Sequence, residues 1–443
     1  MASQQAAHLP RPKRVAIIGA GVVGLSCGLH LQHLGYDVEI FDPREPGTGA
    51  SYGNAGIIAV SEVLPLGRLA TLRLLPSMLL DSTGPLVIRW RYLPHIAPWL
   101  LRLVASCRPA EVERIAAALA ALLSQAVAAW RELLHGSPAQ ARLVSSGWLR
   151  AYDSERSLKR ALPDIERQRR LGVKLQVLDA RALREFEPAL APVFAGATFC
   201  PDVCHLDSPF RTMQALATML AAGGGVFRKC AVQRLDMEQG RPAIVDGDGN
   251  RVIYDRVVIA AGAWSRQLVR SLGTDVRLDT ERGYHLMLPT PPRTLKHPVS
   301  IANPGYSLVQ MEDGLRLTSG VEFAGLDAPA DFRRVRRMVT HAARSVPGLE
   351  PNSMSEWLGF RPSMPHSLPV IGPVPNHPNV LLAFGHGHLG VTLGPLTGRL
   401  IAALAEGRPT SIDITPFLPG LSGDNPRRRV GTRTDSYNRE EIC

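Results

Sequence analysis

Gly19, Gly21 and Gly24 stand in the spacing GxGxxG, and Asp42 follows 18 residues after the last of them. Glycines so spaced suit one task, bringing a backbone close to an anion. The first allows a tight turn, the second lets the chain approach a pyrophosphate, and the third lets a helix pack against a strand. The unpaired N–H groups at the start of that helix, around Val22 and Val23, and its positive dipole end then face two phosphates. Asp42 is placed to accept hydrogen bonds from a ribose. The spacing alone is weak evidence, since a Gly-rich turn in an unrelated α/β domain looks the same. Its context is stronger. Residues 15–18 form a β-branched run suited to a strand buried on both faces. Residues 22–34 carry a helical apolar period that Gly35 stops, and 38–42 read as the next strand. Strand, helix and strand together make a βαβ unit.

NAD and FAD both use this fingerprint. A chain built only for NAD would keep its nucleotide fold in one block. Here a second glycine-bearing strand end, with Ala261, Gly262 and Trp264, comes more than 200 residues later. A third spans 384–392 and holds Gly385, His386, Gly387, His388, Leu389, Gly390, Val391 and Thr392 before another helix. Three such ends from distant parts of one chain suit a long ligand, FAD. A helix start at the third can face the flavin pyrimidine edge and stabilise the negative charge that builds there on reduction.

The elements that must position these residues follow from the patterning. Further helices are expected over 112–134, 155–171, 210–222, 331–345 and 396–405, and strands over 147–152, 226–235, 251–260, 284–288, 315–319 and 380–383. The fold class is α/β: a discontinuous Rossmann-like domain with a second domain of mostly antiparallel sheet and helices. The tail from Pro409 is rich in Pro, Gly and Ser and is expected to be loosely ordered.

The 443 residues are 45% hydrophobic and 20% charged, enough for a sizeable core. A net charge of +11 asks for an anionic partner: nucleic acid, a membrane surface or a phosphate-bearing cofactor. Nucleic acid is disfavoured, because aromatics are 6% of the chain and do not interleave with basic residues. Six scattered cysteines exclude a disulfide scaffold and fit a reducing, cytoplasmic setting. Cys200 and Cys204 sit beside His205 with no second pair to complete a zinc site, so no metal is expected. The uncharged, mostly alanine stretch 115–130 is shorter than the roughly 20 apolar residues a bilayer needs and reads as a packed helix. The leucine-rich segment 66–108 carries Arg68, Arg73, Arg89, Arg91, Arg102 and Arg108 against the single acid Asp81. It reads either as a peripheral contact with an anionic membrane or as a cap-domain helix pair with solvated arginines.

The sequence resembles the FAD-dependent amine and amino-acid oxidoreductases of the D-amino-acid oxidase superfamily, with bacterial D-amino-acid dehydrogenases nearest in pattern. The resemblance covers roughly residues 15–409. It rests on GAGVVGLS at 19–26, Ala50-Ser51 with Gly53-Asn54-Ala55-Gly56, Arg282-Gly283-Tyr284, Gly320-Val321-Glu322, WLGFRP at 357–362, LPVIG at 368–372, and the glycine turn 385–392. It implies an FAD domain assembled from 13–85, 196–265 and 356–408, and a substrate domain from 86–195 and 266–355. It implies that Ser51, Asn54, Ala55, Gly56 and Val232 join the three glycine turns around the cofactor. The implied chemistry is oxidation of the Cα–N bond by hydride transfer to the flavin, giving an imine that hydrolyses. Electrons then leave to a quinone-type acceptor.

An amino-acid carboxylate needs a bidentate, permanently charged partner, and Arg361 is the candidate, lying also beside the flavin. Tyr284 and His285 occupy the strand expected to cover the flavin. Adjacent strand residues face opposite sides, so one of the two points at the substrate. Tyr284 matches the family position, whereas His285 replaces a small polar residue. His386 and His388 flank Gly387, where either imidazole could tune flavin charge or take a proton. His388 stands for a threonine of the dehydrogenases, Val391 for a tryptophan, and Pro365-His366 for Pro-Asp. These departures bear on the substrate rather than on fold or cofactor. The competing readings are an oxygen-using oxidase of glycine, sarcosine or a cyclic proline-type amino acid, and a non-enzymatic nucleotide-binding module.

Overall fold

A computed structural model describes residues 13–68, 86–291, 294–350, 352 and 354–420. Two large sheets organise it. The nucleotide sheet has six strands in the order Val226–Arg228, Asp37–Phe41, Arg14–Ile18, Arg256–Ile259, His377–Phe384 and Val370–Val374. The first five run parallel and the last is antiparallel to its neighbour. Val15 to Ile18 are at most 5% exposed, as a strand covered on both faces requires. The helices Val22–His33 and Gly390–Ala405 pack on each other on one side. Gly398 permits this, because a Cβ there would stand 2.6 Å from the Ser26 carbonyl oxygen.

The cap sheet runs Ser355–Ser363, Asp279–Leu288, Gly314–Phe323, Tyr306–Met311, Val299–Ile301, Trp148–Tyr152, Gly196–Cys200 and Gln176–Asp179, with Leu86–Ile88 added beside Gly314–Phe323. It is antiparallel apart from two parallel pairings. The helix Arg333–Ser345 buries Val335, Met338, Val339 and Ala342 against Leu286, Leu288, Leu315 and Leu317 on one face. The opposite face fronts the glycine turns.

Several sequence expectations need correction. Residues 226–235 are two strands, not one: Val226–Arg228 joins the nucleotide sheet, and Val232–Glu238 joins a separate three-stranded sheet. The helix expected over 112–134 breaks at Ser124 and Gln125 into Pro109–Leu123 and Ala126–Leu134. That stretch, Pro109–Leu134, is long and apolar enough to cross a bilayer. In the fold Ile115, Leu119, Leu122 and Trp130 are at most 1% exposed within the nucleotide-domain core, and the Trp130 indole donates to the Val391 carbonyl oxygen at 2.9 Å. It therefore packs on the FAD side although its residues fall in the segment expected for the cap. Conversely, Gly196–Cys200 and Ser355–Ser363 lie in the cap sheet, not in the FAD segments. The tail is packed to residue 420: Phe417 is 2% exposed, and Leu418 lies against Gly372. Residues 421–443 lie outside the described residues, as do 69–85, so the segment expected over 66–108 is described only in part.

Candidate active site

The glycine spacing works through close approach. Gly19 has φ +110°, and a Cβ on it would overlap the Ala260 carbonyl at the end of the second glycine-bearing strand. A Cβ on Gly24 would overlap the Gly19 carbonyl oxygen. The turn is held by side chains. Asp42 accepts from the Ala20 and Arg44 amides, both at 2.9 Å, and buried Ser51 accepts from the Val22 amide at 3.0 Å. Ser51 thus satisfies one of the N–H groups that a helix start leaves open.

A cavity of about 1080 Å³ runs along these turns and under the cap sheet. Gly19, Gly21, Val22, Val23, Asp42, Ser51, Asn54 and Ala55 line it from the first segment. Val232, Ala261, Gly262 and Trp264 line it from the second, and Gly387, His388, Gly390 and Val391 from the third. Arg44 stacks over Trp264 at 5.0 Å. The remaining predicted residues stand behind this wall. Gly56 has φ +73° and would place a Cβ 2.5 Å from the Leu206 carbonyl oxygen; Gly385 would place one 2.8 Å from Met364. Leu389 is buried, and Thr392 ties to the backbone of Ala59 and Ile57. Three glycine turns emptied of side chains along one elongated cavity fit FAD.

The cavity wall beneath the cap sheet is fixed by strand register. Glu281 pairs with Arg361, Gly283 with Gly359, and His285 with Trp357. Directly opposed side chains emerge on one face, and here that face is the cavity wall. The Arg361 guanidinium lies where Gly283 lacks a side chain and donates to the Gly320 carbonyl oxygen at 2.9 Å. Burial lowers its pKa, opposed by the negative charge of Glu281. The Trp357 indole fills the space left by Gly53 and Gly359 and stacks on His285, centroids 5.1 Å apart.

Tyr284 is corrected by its hydrogen bonds. The residue lines the cavity, but its hydroxyl is engaged: it donates to Glu322 at 2.5 Å, while Arg282 and the Asp331 amide donate to it. The group belongs to a buried cluster in which Glu322 also pairs with Arg282 and Arg89. His285 shares the strand face of Glu281 and pairs with Trp357, but it is not among the residues lining the cavity, and its Nδ1 is engaged with the Gly53 carbonyl oxygen at 3.0 Å. Burial, aided by Arg316, pushes its pKa down to about 3. His386 turns inward to the Thr397 hydroxyl at 3.0 Å, and burial pushes it down to about 3 as well. Burial thus favours the neutral form of both rings. His388 lines the cavity; burial lowers it, opposed by Glu62 and Glu281.

Residues the sequence reading passed over complete the site. Glu62 and Arg150 form an ion pair at 2.5 Å in the cavity wall. Glu281 lies on the cavity wall, 3% exposed. Arg316, 8% exposed, donates to the carbonyl oxygens of Asn54 at 2.6 Å and Tyr52 at 3.3 Å. The charge of Glu281 beside the quoted Arg-Gly-Tyr was a usable signal; Glu62, Arg150 and Arg316 are surface-type residues whose positions only the tertiary fold decides. Among the described residues no group of three or more His, Cys, Asp and Glu side chains could hold a metal ion, and Cys200 and Cys204 are buried free thiols.

The family model DAO, FAD dependent oxidoreductase, matches residues 14–404. A D-amino-acid oxidase of Bradyrhizobium diazoefficiens is 32% identical over 93% of this chain and 99% of its own length. A D-amino acid dehydrogenase 2 of Pseudomonas aeruginosa is 34% identical over 92% of this chain and 98% of its own. Among solved structures, glycine oxidase from Geobacillus kaustophilus superposes with a TM-score of 0.71 at 24% identity, covering 95% of this chain and all of that one.

Proposed function

We propose, from the premise that this chain belongs to the DAO family of FAD-dependent oxidoreductases, that it oxidises the Cα–N bond of a D-amino acid. The product is an imine, which water converts to a 2-oxo acid and ammonia. Bound FAD supplies the hydride acceptor. The chain's own residues bind and orient. Arg361 takes the substrate carboxylate in a bidentate contact. Trp357 and the cap strands above it exclude water from the reacting carbon, and neutral His285 holds the 52–54 loop.

The observation that carries this reading is the Arg361 guanidinium, seated on Gly283 at the cavity wall with only the Gly320 carbonyl as a hydrogen-bond acceptor among the described residues. Its other donors point to an anionic ligand. The D-amino acid preference is supported by the names of the relatives, oxidase in one and dehydrogenase in four. On that balance we favour a quinone-type electron acceptor. The relative named D-amino-acid oxidase supports the second reading, an oxygen-using oxidase that could also take glycine, sarcosine or a cyclic amino acid.

Anaerobic bleaching of the flavin spectrum against a panel of D- and L-amino acids tests the chemistry. D-amino acids should bleach it, and bleaching by L-amino acids alone would reverse the stereochemical assignment. Reoxidation in air then separates acceptors: slow reoxidation with rapid dye or quinone reduction supports the dehydrogenase, stoichiometric peroxide the oxidase.

Contact with the inner face of the cell membrane is part of the same proposal. The segment around Leu93–Ser106 exposes Trp90 (77%), Leu101 (72%) and Val104 (51%) beside Arg91 and Arg108. Co-sedimentation with anionic vesicles at low salt tests it, and protein left in the supernatant would reject it.

A further inference from the structure

The cavity wall holds four carboxylates: Asp42, Glu62, Asp164 and Glu281. Three of them have cationic partners. Asp42 faces Arg44 at 3.9 Å, Glu62 pairs with Arg150 at 2.5 Å, and Asp164 pairs with Arg68 at 2.5 Å. Glu281 forms no ion pair among the described residues. It is 3% exposed, and its Oε2 is buried without a hydrogen-bond partner. Native proteins rarely leave a buried carboxylate oxygen unsatisfied, and such an orphan calls for a ligand or another stated cause. The strand register places Glu281 directly opposite Arg361, with both side chains on the face that forms the cavity wall. Opposed Cβ atoms in a sheet lie about 5 Å apart. A guanidinium seated over Gly283 and an unpaired carboxylate from the position opposite therefore share one stretch of the cavity wall. An α-amino acid presents the complementary pair of groups on a single carbon.

We propose that Glu281 anchors the substrate's amino nitrogen, accepting a hydrogen bond from it while Arg361 holds the carboxylate. This deepens the proposed function and rests on its amino-acid reading. The pair makes the site selective for α-amino acids that keep an N–H, and against simple carboxylates and 2-hydroxy acids. A carboxylate without an amine meets Arg361 but is repelled by Glu281.

The test uses the flavin-loaded enzyme and its Glu281→Gln variant, which keeps the side-chain shape and removes the charge. Two constants are read from the flavin spectrum: half-saturation by the best amino acid of the panel in anaerobic bleaching, and dissociation of benzoate, a carboxylate with no amine. Loss of a charge-assisted hydrogen bond predicts half-saturation raised about 30-fold, which is about 2 kcal/mol at 1.4 kcal/mol per tenfold. Benzoate should bind the variant as tightly or more tightly. Opposite responses of the two ligands are what a general loosening of the site cannot produce. Glu281→Asp, which retains the charge, should recover part of the loss. In the wild type, the amino acid should bind more tightly than the 2-hydroxy acid with the same side chain. Half-saturation within twofold of wild type in Glu281→Gln overturns the assignment, and so does parallel weakening of benzoate. If the variant does not fold, equal wild-type affinity for the amino acid and its 2-hydroxy analogue overturns it instead. A wild-type enzyme that no amino acid bleaches overturns the amino-acid reading itself, and the anchor with it.

Discussion

The Arg361 guanidinium rests on the bare Cα of Gly283, in space that a Cβ would occupy. The two residues come from neighbouring strands, Ser355–Ser363 and Asp279–Leu288, and their contact fixes the direction in which the guanidinium projects. Gly283→Ala should displace that group without touching the nucleotide turns. We expect half-saturation by carboxylate substrates to rise at least tenfold while the flavin spectrum and its stoichiometry stay those of the wild type. Steady-state kinetics beside an absorbance spectrum checks both halves of the expectation.

Arg361→Ala removes the proposed carboxylate partner outright. A hydrogen-bonded charge pair of this kind is worth about 1.5–3 kcal/mol, so the expected loss in substrate affinity is about 10- to 100-fold. Arg361→Lys should recover only part of it, because an ammonium cannot make the parallel two-bond contact. An affinity that Arg361→Ala leaves unchanged would remove the residue from its role.

Tyr284→Phe tests the opposite case. The Tyr284 hydroxyl serves buried Glu322 rather than the cavity. Its loss should lower stability by about 1–3 kcal/mol, read as a fall in Tm, and leave substrate half-saturation within about twofold. A large rise in half-saturation with unchanged Tm would return the hydroxyl to the substrate side.

Buried imidazoles set a pH dependence. Burial pushes His285 and His386 down to about 3, and His30, His205 and His366 down to about 4. In the unfolded chain these rings titrate near 6.5. Between about pH 6.5 and 4 the unfolded state therefore binds protons that the folded state does not. Stability falls as pH falls through that window, by at most about 1.4 kcal/mol per pH unit for each ring, and is unaffected above it. The Tm of the flavin-loaded protein should drop from pH 7 to pH 5, and His386→Gln, which can still bond Thr397, should reduce the slope. A Tm flat over that range would contradict the assigned burial.

The nucleotide half was legible in the sequence because its signals are local. A glycine turn, the strand before it and the helix after it lie within a few residues, and the close approaches at Gly19 and Gly24 follow from that spacing. The substrate half was legible only in type. That Tyr284 and His285 face opposite ways follows from strand geometry; which one faces the cavity depends on pairing with a strand some 70 residues on. The charge of Glu281 beside Arg282 was readable, but its opposition to Arg361 exists only in register. The break at Ser124 and Gln125 left no helix-stopping glycine or proline to read. The stretch 409–420 owes its placement to Ile412, Ile414, Phe417 and Leu418, apolar residues in a stretch without periodicity.

Three side chains of the cap sheet, His285, Arg316 and Trp357, grip the 52–54 loop that borders the nucleotide cavity. The two halves of the molecule are thus riveted at the loop beside the first glycine turn. Moving either half as a rigid body would break those contacts, so the 52–54 loop couples the cap sheet to the first glycine turn.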